Sequence, residues 1–207
     1  MNYILLFTRY PRPGKVKTRM IEHLGPEGAA ELHGQMTEQV IRQLQPVFLK
    51  GSTQLWVHYC GGSAEEMMAW LGDNELIRRQ QGDDLGERMA YAFAKTWQQG
   101  GEKVLLIGSD CPAIDADIIT KGLEKLDRKD LVLGPAMDGG YYLIGLRSFA
   151  VGYEELFKAI DWGTGRVLAQ TIDQAKKLGL SFSLLPQLHD IDRAEDLVHF
   201  DYHPCSE

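Results

Sequence analysis

The feature that most constrains the fold is the apolar run YILLFT at residues 3–8, which a loop rich in Pro and Gly ends. A continuous apolar run with branched and aromatic residues is typical of a strand that is covered on both faces. The run KVLLIG at residues 103–108 shows the same pattern. We therefore expect a central sheet with helices packed on both of its sides.

Helical periodicity fills the segments between the strand patterns. Pro26 is expected in the first turn of a long amphipathic helix that ends before Pro46, and a short helix is expected over 64–71. Asp84, Asp115 and Thr164 are predicted to cap three further helices. The other predicted strands are 53–59, 76–80, 131–133, 141–146 and 181–185. Strands joined through helices need crossover connections, so the predicted fold class is α/β, doubly wound, with a mainly parallel sheet.

Composition limits the class of protein. The 207 residues are 44% hydrophobic and no linker divides them, so we predict one domain over residues 1–207. Cys60, Cys111 and Cys205 form neither an even set nor a CxxC pair, which disfavours a disulfide scaffold and favours a reducing compartment. Because a signal peptide and a run of about 20 apolar residues are both absent, we predict a cytoplasmic protein without a membrane span.

Charge is unevenly distributed along the chain. The net charge of −7 argues against a protein that mainly binds nucleic acid or an anionic membrane. Residues 1–21 nevertheless contain no Asp or Glu and five cations, which are Arg9, Arg12, Lys15, Lys17 and Arg19. They lie in the loop after the first strand, where ligands bind in doubly wound sheets. Gly14 would let the backbone approach a phosphate, although a solvated basic loop is the alternative. The string is not a Walker A loop.

Carboxylates follow the other buried strand and recur near the C-terminus. Asp110 stands at the end of the KVLLIG run in GSDCP, where it could bind Mg²⁺ or Mn²⁺ or simply act as a turn or cap residue. Asp190 and Asp192 alternate around Ile191, so both carboxylates lie on one side of an extended segment. One of them could complete a two-carboxylate metal site.

The loop Asp138-Gly139-Gly140-Tyr141 suits a backbone that approaches a ligand, with a Tyr face that could pack on a sugar or base. A tight turn between two strands is the alternative. The segment at 161–164, which contains Trp162, has the same ambiguity. The chain has no GxSxG elbow and no GxGxxG after the first strand, which argues against an α/β-hydrolase and a Rossmann dehydrogenase.

Six strings in the chain carry a family resemblance. They are FTRYPRPGKVKTR at 7–19, QGDDLGERM at 81–89, IGSDCPAID at 107–115, GPAMDGGYYLIGL at 134–146, WGT at 162–164 and DIDRAEDL at 190–197. Together they resemble a small bacterial family of GT-A-type, nucleotide-diphospho-sugar transferase-like proteins, some of which are assigned as glycosyltransferases of arsenosugar biosynthesis. The wider superfamily includes glycosyltransferases and nucleotidyltransferases. In this sequence Arg-Ala replaces the usual Thr-Pro of the last string, and Pro112 stands where a DxD motif has its second acid.

The resemblance implies a GT-A-like fold and a role for each matching residue. Mg²⁺ or Mn²⁺ would be held by Asp110 and Asp192. The implied catalytic residues are Asp110, Asp138 and Lys17. The implied nucleotide- and phosphate-binding residues are Thr8, Arg9, Arg12, Gly14, Lys15, Lys17, Arg19 and Gly86. The implied acceptor-side residues are Asp138, Gly139, Gly140, Tyr141 and Trp162.

Three functions are compatible with such a site. The first is glycosyl transfer from a nucleotide-activated donor to a small-molecule acceptor. The second is nucleotidyl transfer, in which a phosphorylated acceptor attacks an NTP and pyrophosphate leaves. The third is a nucleotide-binding module without chemistry. Homodimer formation is left open by the sequence.

Overall fold

The computed structural model describes residues 1–49, 51–72, 76–147 and 152–203, so Cys205 lies outside the described residues. Within these ranges seven strands, β1 to β7, span Asn2–Arg9, Thr53–Cys60, Leu76–Arg79, Lys103–Gly108, Leu131–Pro135, Tyr141–Arg147 and Phe182–Leu184. Five α-helices, α1 to α5, span Ile21–Phe48, Ala64–Leu71, Leu85–Gln98, Ala116–Lys125 and Val167–Lys177. None of the helices in these ranges is both long and apolar enough to cross a bilayer.

The strands form one sheet in the order β3-β2-β1-β4-β6-β5-β7, with β1 and β4 adjacent near its middle. All pairings are parallel except those of β6, which runs antiparallel to both β4 and β5. β6 reverses direction because the connection at 136–140 is too short for a crossover. The predicted α/β class with a mainly parallel sheet is confirmed, whereas the single domain over 1–207 stays a prediction.

Side chains of β1 alternate between two apolar layers. Ile4 and Leu6 pack with residues of α1 and α4 on one face of the sheet. Tyr3, Leu5 and Phe7 pack with residues of α3 on the other face. Burying one such side chain contributes about 1.5–3 kcal/mol. The sheet is therefore covered on both faces, as the continuous apolar run predicts.

The helix ends agree with the sequence in part. Asp84 accepts a hydrogen bond from Glu87 N at 2.8 Å, and Asp115 accepts one from Ile118 N at 2.9 Å, so both predicted caps are confirmed. Thr164 is not the N-cap of α5, because the helix starts at Val167 and the Thr164 hydroxyl accepts from Arg166 N at 3.4 Å, in the turn before that start.

The predicted end of α1 before Pro46 is wrong. Gly25 breaks the helical backbone with φ 71°, so Pro26 opens the long part of α1 as expected. Beyond Pro46 the helix continues to Phe48. The missing N–H of a proline removes one hydrogen bond there. Burial of Val47 in the core favours the last turn despite this loss.

A third apolar cluster fastens the C-terminal segment to α1. Ile191 is fully buried and packs with Met20, Leu32 and Met36, and Phe200 belongs to the same cluster. An extended segment without sheet partners needs such a buried anchor to hold one conformation. Residues 190–192 are therefore fixed beside the start of α1.

Acid is expected to destabilise the fold through His58, which is 3% exposed between Phe7 and Arg78. Burial, aided by the charge of Arg78, lowers the pKa of His58 to about 4. The unfolded chain binds this proton at its usual pKa near 6.5, so stability is full above pH 6.5 and is lost as the pH falls towards 4. We expect a loss of about 2–3 kcal/mol between pH 7 and pH 4.5 from this group.

Urea unfolding at the two pH values measures this loss. His58→Phe should reduce the pH dependence by that amount, while the exposed control His23→Gln should leave it unchanged. If the free energy of unfolding of His58→Phe depends on pH as strongly as that of the unmodified chain, His58 is not the source of the acid sensitivity.

Candidate active site

A cleft of about 610 Å³ opens at the carboxyl ends of β1 and β4. Its lining includes the loop after β1 and, in contact with that loop, the C-terminal acids at 190 and 192. The loop at 136–140 and residues 162–164 contribute to the remaining lining. This is the edge of the sheet at which doubly wound folds bind ligands.

Lys17 joins three segments of this cleft. Its side chain is 3% exposed, and its Nζ lies 2.6 Å from Asp110 Oδ1 and donates to Ile191 O at 2.5 Å. A buried ammonium needs such partners. Lys17 has left-handed backbone angles, φ 44° and ψ 45°, which cost a residue with a side chain about 1–2 kcal/mol. The loop after β1, the end of β4 and the C-terminal segment thus meet at one atom.

Asp110 is held in its charged form. Surrounding protein atoms disfavour the charge, but the charge and hydrogen bond of Lys17, together with the charge of Arg9, outweigh them, so the pKa of Asp110 lies below its usual value. The side chain keeps 60% exposure, which leaves it available to a ligand in the cleft. Burial lowers the pKa of the adjacent His33, so that imidazole is neutral at pH 7.

The C-terminal acids face the same cleft. Ile191 N donates to Asp110 O at 2.9 Å, and Asp192 forms an ion pair with Arg19. Partial burial raises the pKa of Asp190, and the nearby carboxylate of Asp138 raises it further. The predicted metal ligands Asp110 and Asp192 therefore both line the cleft, on segments that are hydrogen-bonded to each other.

This donor set fits a divalent cation that takes further ligands from substrate. Carboxylate oxygens are the ligands that Mg²⁺ and Mn²⁺ prefer, and one or two of them plus phosphate oxygens are typical of phosphate-transfer sites. Asp110 and Asp192 each use one oxygen for a cationic side chain, which leaves the other available. Within the ranges that the structure describes, no group of three or more His, Cys, Asp or Glu forms a complete metal site.

The implied phosphate-binding residues separate into two groups. Thr8, Arg9, Lys15, Lys17 and Arg19 line the cleft. Arg12 and Gly14 lie outside its lining. Arg12 pairs with Glu66 at the start of α2, with 2.8 Å between Nη2 and Oε1, and Gly14 forms an exposed turn at φ 74°.

Thr8 and Lys17 contact protein groups rather than open space. The Thr8 hydroxyl lies within 3.3 Å of hydroxyl or ring atoms of His33, Thr37 and Ser109 in a buried network behind the cleft. Lys17 is turned onto Asp110, as described above. Both residues therefore position the cleft wall, while Arg9, Lys15 and Arg19 present exposed cations to it.

Gly86 lies beneath Trp162 rather than among the phosphate-binding residues. A Cβ at Gly86 would be 2.8 Å from Phe157 O and 2.9 Å from Trp162 Cζ2. The absence of a side chain therefore lets the indole pack on the first turn of α3. Trp162 and Tyr141 line the cleft, and their place on an acceptor side stays a prediction.

The glycine-rich loop is both a tight turn and a wall of the cleft. Asp138 Oδ1 accepts from Gly140 N at 2.7 Å, and both residues line the cleft. Gly139 accepts at its carbonyl from Leu168 N at 3.0 Å, and a Cβ on it would be 2.3 Å from Gly165 O. The loop at 136–140 and the segment at 163–168 thus contact each other through their backbones.

Gln80 and Arg88 are among the polar cleft residues that the sequence analysis missed. Both line the cleft near the carboxyl end of β1. Gln80 directly follows β3, so the rule that selected Asp110 after β4 could have selected it as well. Arg88 lies in the QGDDLGERM string. Gly86 is the one residue of that string to which the family resemblance assigned a role in the site. Asp190 was noticed, but it was not included among the metal ligands.

Comparison with known proteins identifies the family. The model of DUF2064, described as an uncharacterized protein conserved in bacteria, matches residues 43–164. A crystal structure from Desulfovibrio desulfuricans G20, described as a "putative nucleotide-diphospho-sugar transferase", is 38% identical over 95% of this chain and 84% of that one, with a TM-score of 0.86. The chain belongs to the DUF2064 family. The predicted membership of a small bacterial family with a GT-A-like fold is thereby confirmed.

More distant structures share the fold of this DUF2064 member. A nucleotidyl transferase from Methanothermobacter is 16% identical, with 96% and 95% of the two chains covered and a TM-score of 0.64. The inositol-1-phosphate CTP transferase from T. maritima is 14% identical, with 95% and 91% covered and a TM-score of 0.57. No curated protein matches the chain.

Proposed function

We propose that this chain is a metal-dependent glycosyltransferase that uses a nucleotide-activated donor and a small-molecule acceptor. The observation that carries the proposal is that cations and carboxylates line one cleft in direct contact with each other, with Lys17 Nζ and Asp110 Oδ1 2.6 Å apart. Such a site can neutralise the negative charge that a leaving nucleoside diphosphate gains, through cationic side chains and a cation held by the carboxylates. The name given to the relative from Desulfovibrio supports the same class.

At the donor end, Arg9, Lys15 and Arg19 would bind the diphosphate. Asp110 and Asp192 would hold Mg²⁺ or Mn²⁺, which supplies Lewis-acid neutralisation of the leaving diphosphate. Lys17 is a positioning residue, because its ammonium keeps Asp110 ionised and fixes the C-terminal segment through Ile191 O.

The acceptor end favours glycosyl over nucleotidyl transfer. A second cavity of about 330 Å³ shares residues with the cleft. Apart from Asp192 and Arg19, which the donor end would use, its charged lining contains the acids Asp138, Asp190 and Asp196 against the single guanidinium of Arg193. This excess of carboxylates repels a phosphorylated acceptor and suits a neutral or cationic compound with a hydroxyl group. Asp138, exposed at the cleft, would accept the proton of that hydroxyl.

Nucleotidyl transfer is the second candidate. Pro112 stands two residues after Asp110, so the end of β4 offers one acid rather than a DxD pair, as in the nucleotidyltransferase branch of the superfamily. The basic loop after β1 is also typical of that branch. A binding module without turnover is the third candidate.

Ligand screening followed by product analysis tests these functions. Sugar nucleotides and free NTPs are first screened with Mn²⁺ for thermal stabilisation, which should reach about 2.7 kcal/mol at 100 times the dissociation constant. With pooled hydroxyl acceptors, mass spectrometry should show a glycosylated product and a free nucleoside diphosphate. Pyrophosphate release from an NTP with phosphorylated acceptors would instead identify nucleotidyl transfer, and binding without any product would identify a module.

A further inference from the structure

The peptide group between Arg9 and Tyr10 lies at the point where the basic loop leaves β1. β1 pairs with β4 only as far as Phe7, whereas its pairing with β2 continues to Arg9. The N–H of this peptide group donates to Cys60 O at 3.0 Å, which extends the pairing with β2 by one bond. Because the C=O of a trans peptide points the opposite way, the carbonyl group of Arg9 projects past the last pair with β4 and needs another partner.

His33 of α1 is that partner. Its Nε2 lies 3.1 Å from Arg9 O, and the residue is 4% exposed. A carbonyl oxygen only accepts hydrogen bonds, so Nε2 must carry the one ring hydrogen of the neutral imidazole. The same nitrogen lies 3.2 Å from the Thr8 hydroxyl, whose own hydrogen can go to the Thr37 hydroxyl at 3.1 Å. The buried network therefore fixes one tautomer of His33.

The peptide group is thus held at both ends, its N–H by β2 and its C=O by α1. Pro11 packs on the same turn of α1, since a Cβ at Gly34 would be 4.0 Å from Pro11 Cβ. The loop therefore leaves β1 in one direction, with Arg9 exposed at the cleft. A cation that is held in place before the ligand arrives reduces the entropy that binding costs.

We propose that His33 is a positioning residue for diphosphate binding, which fixes the Arg9 carbonyl group and through it the place of the Arg9 guanidinium at the cleft. The inference rests on the proposed nucleotide-dependent function. His33 acts through Arg9 because it is buried and its ring hydrogen is used by Arg9 O. Without this hydrogen bond, the carbonyl group would keep only the longer contact to the Thr8 hydroxyl, at 3.4 Å.

Two amide variants of His33 separate positioning from packing. In His33→Gln the amide nitrogen can take the place of the imidazole Nε2 and donate to Arg9 O, whereas the shorter side chain of His33→Asn ends near the position of Nδ1. Both variants bury a neutral amide, so they disturb the core to a similar extent. Calorimetric titration with inorganic pyrophosphate and Mg²⁺ should show about 10-fold weaker binding for His33→Asn and less than about 3-fold weaker binding for His33→Gln.

A double-mutant cycle tests the route through Arg9. Arg9→Ala alone should weaken pyrophosphate binding about 10-fold. Adding His33→Asn to Arg9→Ala should then weaken it by no more than about a further 2-fold, because the group that His33 positions is already absent. His58→Asn is the matched control. It replaces another buried histidine, whose Nε2 has no hydrogen-bond partner among the described residues, and it should bind pyrophosphate as tightly as the unmodified chain.

The tautomer of His33 can be measured without a variant or a ligand. Long-range hydrogen–nitrogen correlation NMR spectra of the unmodified chain at pH 7 should place the ring hydrogen on Nε2. The proposal is overturned if the hydrogen is on Nδ1, if His33→Asn and His33→Gln bind pyrophosphate equally well, or if the losses of His33→Asn and Arg9→Ala multiply. If the unmodified chain does not bind pyrophosphate at all, this proposal and the proposed function both fail.

Discussion

Asp110→Asn is expected to lower the rate of group transfer by about 100- to 1000-fold and to remove the effect of Mg²⁺ or Mn²⁺ on nucleotide affinity. The amide keeps the size of the carboxylate but loses the charge that a divalent cation requires. Asp110 is 60% exposed to the cleft and lies 2.6 Å from Lys17, so the substitution acts where the cations and carboxylates meet. Calorimetry with and without metal measures the loss in affinity, and product formation measures the loss in rate.

Two further variants make this experiment decisive. Asp117→Asn removes an exposed charge on α4 outside the cleft and should behave like the unmodified chain. Because Asp110→Asn also leaves the buried ammonium of Lys17 without its counter-charge, circular dichroism must show that the variant is folded. Asp192→Asn leaves the Lys17–Asp110 pair intact and should also weaken the metal effect. A metal effect of unchanged size in Asp110→Asn would refute the metal site.

Gly139→Ala is expected to destabilise the protein by about 3–5 kcal/mol. The backbone of Gly139 has φ 88°, which a residue with a Cβ adopts only with strain, and the new methyl group would lie 2.3 Å from Gly165 O. Neither backbone segment can move without opening the contact between the loop at 136–140 and the segment around Gly165. Thermal unfolding should show a drop of roughly 10 °C in melting temperature.

Gly163→Ala is the matched control for this prediction. Gly163 also has positive φ, 77°, but a Cβ there would meet no atom within 4 Å. The Gly163→Ala variant should therefore lose only the stability that backbone strain costs, about 1–2 kcal/mol. If both variants lose the same stability, the close approach at Gly165 does not contribute to the fold.

Most of the fold could be predicted because it depends on local patterns. A continuous apolar run such as YILLFT has one favourable placement, a strand covered on both faces, and Asp84 and Asp115 cap helices through contacts three residues away. The end of α1 was predicted wrongly because burial of Val47, a tertiary effect, favours the turn after Pro46. Thr164 is not the cap of α5 because residues 164–166 form a turn in which its hydroxyl accepts from Arg166 N, before the helix begins at Val167.

The site was predictable in position but less so in the direction of its side chains. Strand ends located the cleft correctly, yet Arg12 and Lys15 look alike in the sequence and lie on different sides of the loop. Arg12 is drawn away by Glu66, which is 54 residues distant in the chain. Likewise, nothing local indicates that Lys17 is buried against Asp110 and Ile191 O. Such partners are known only once the chain has folded.

The proposed metal site depends on residues near both ends of the chain, because the buried Ile191 holds Asp192 at the cleft. Asp192 reaches the cleft because Ile191 is buried against α1 and accepts a hydrogen bond from Lys17, a residue 174 positions earlier. Release of this short segment would separate the two carboxylates while leaving the sheet intact. A metal–nucleotide complex bound at both carboxylates would therefore hold the C-terminal segment against the end of β4. Slower hydrogen exchange in residues 190–192 would then report that the site is occupied.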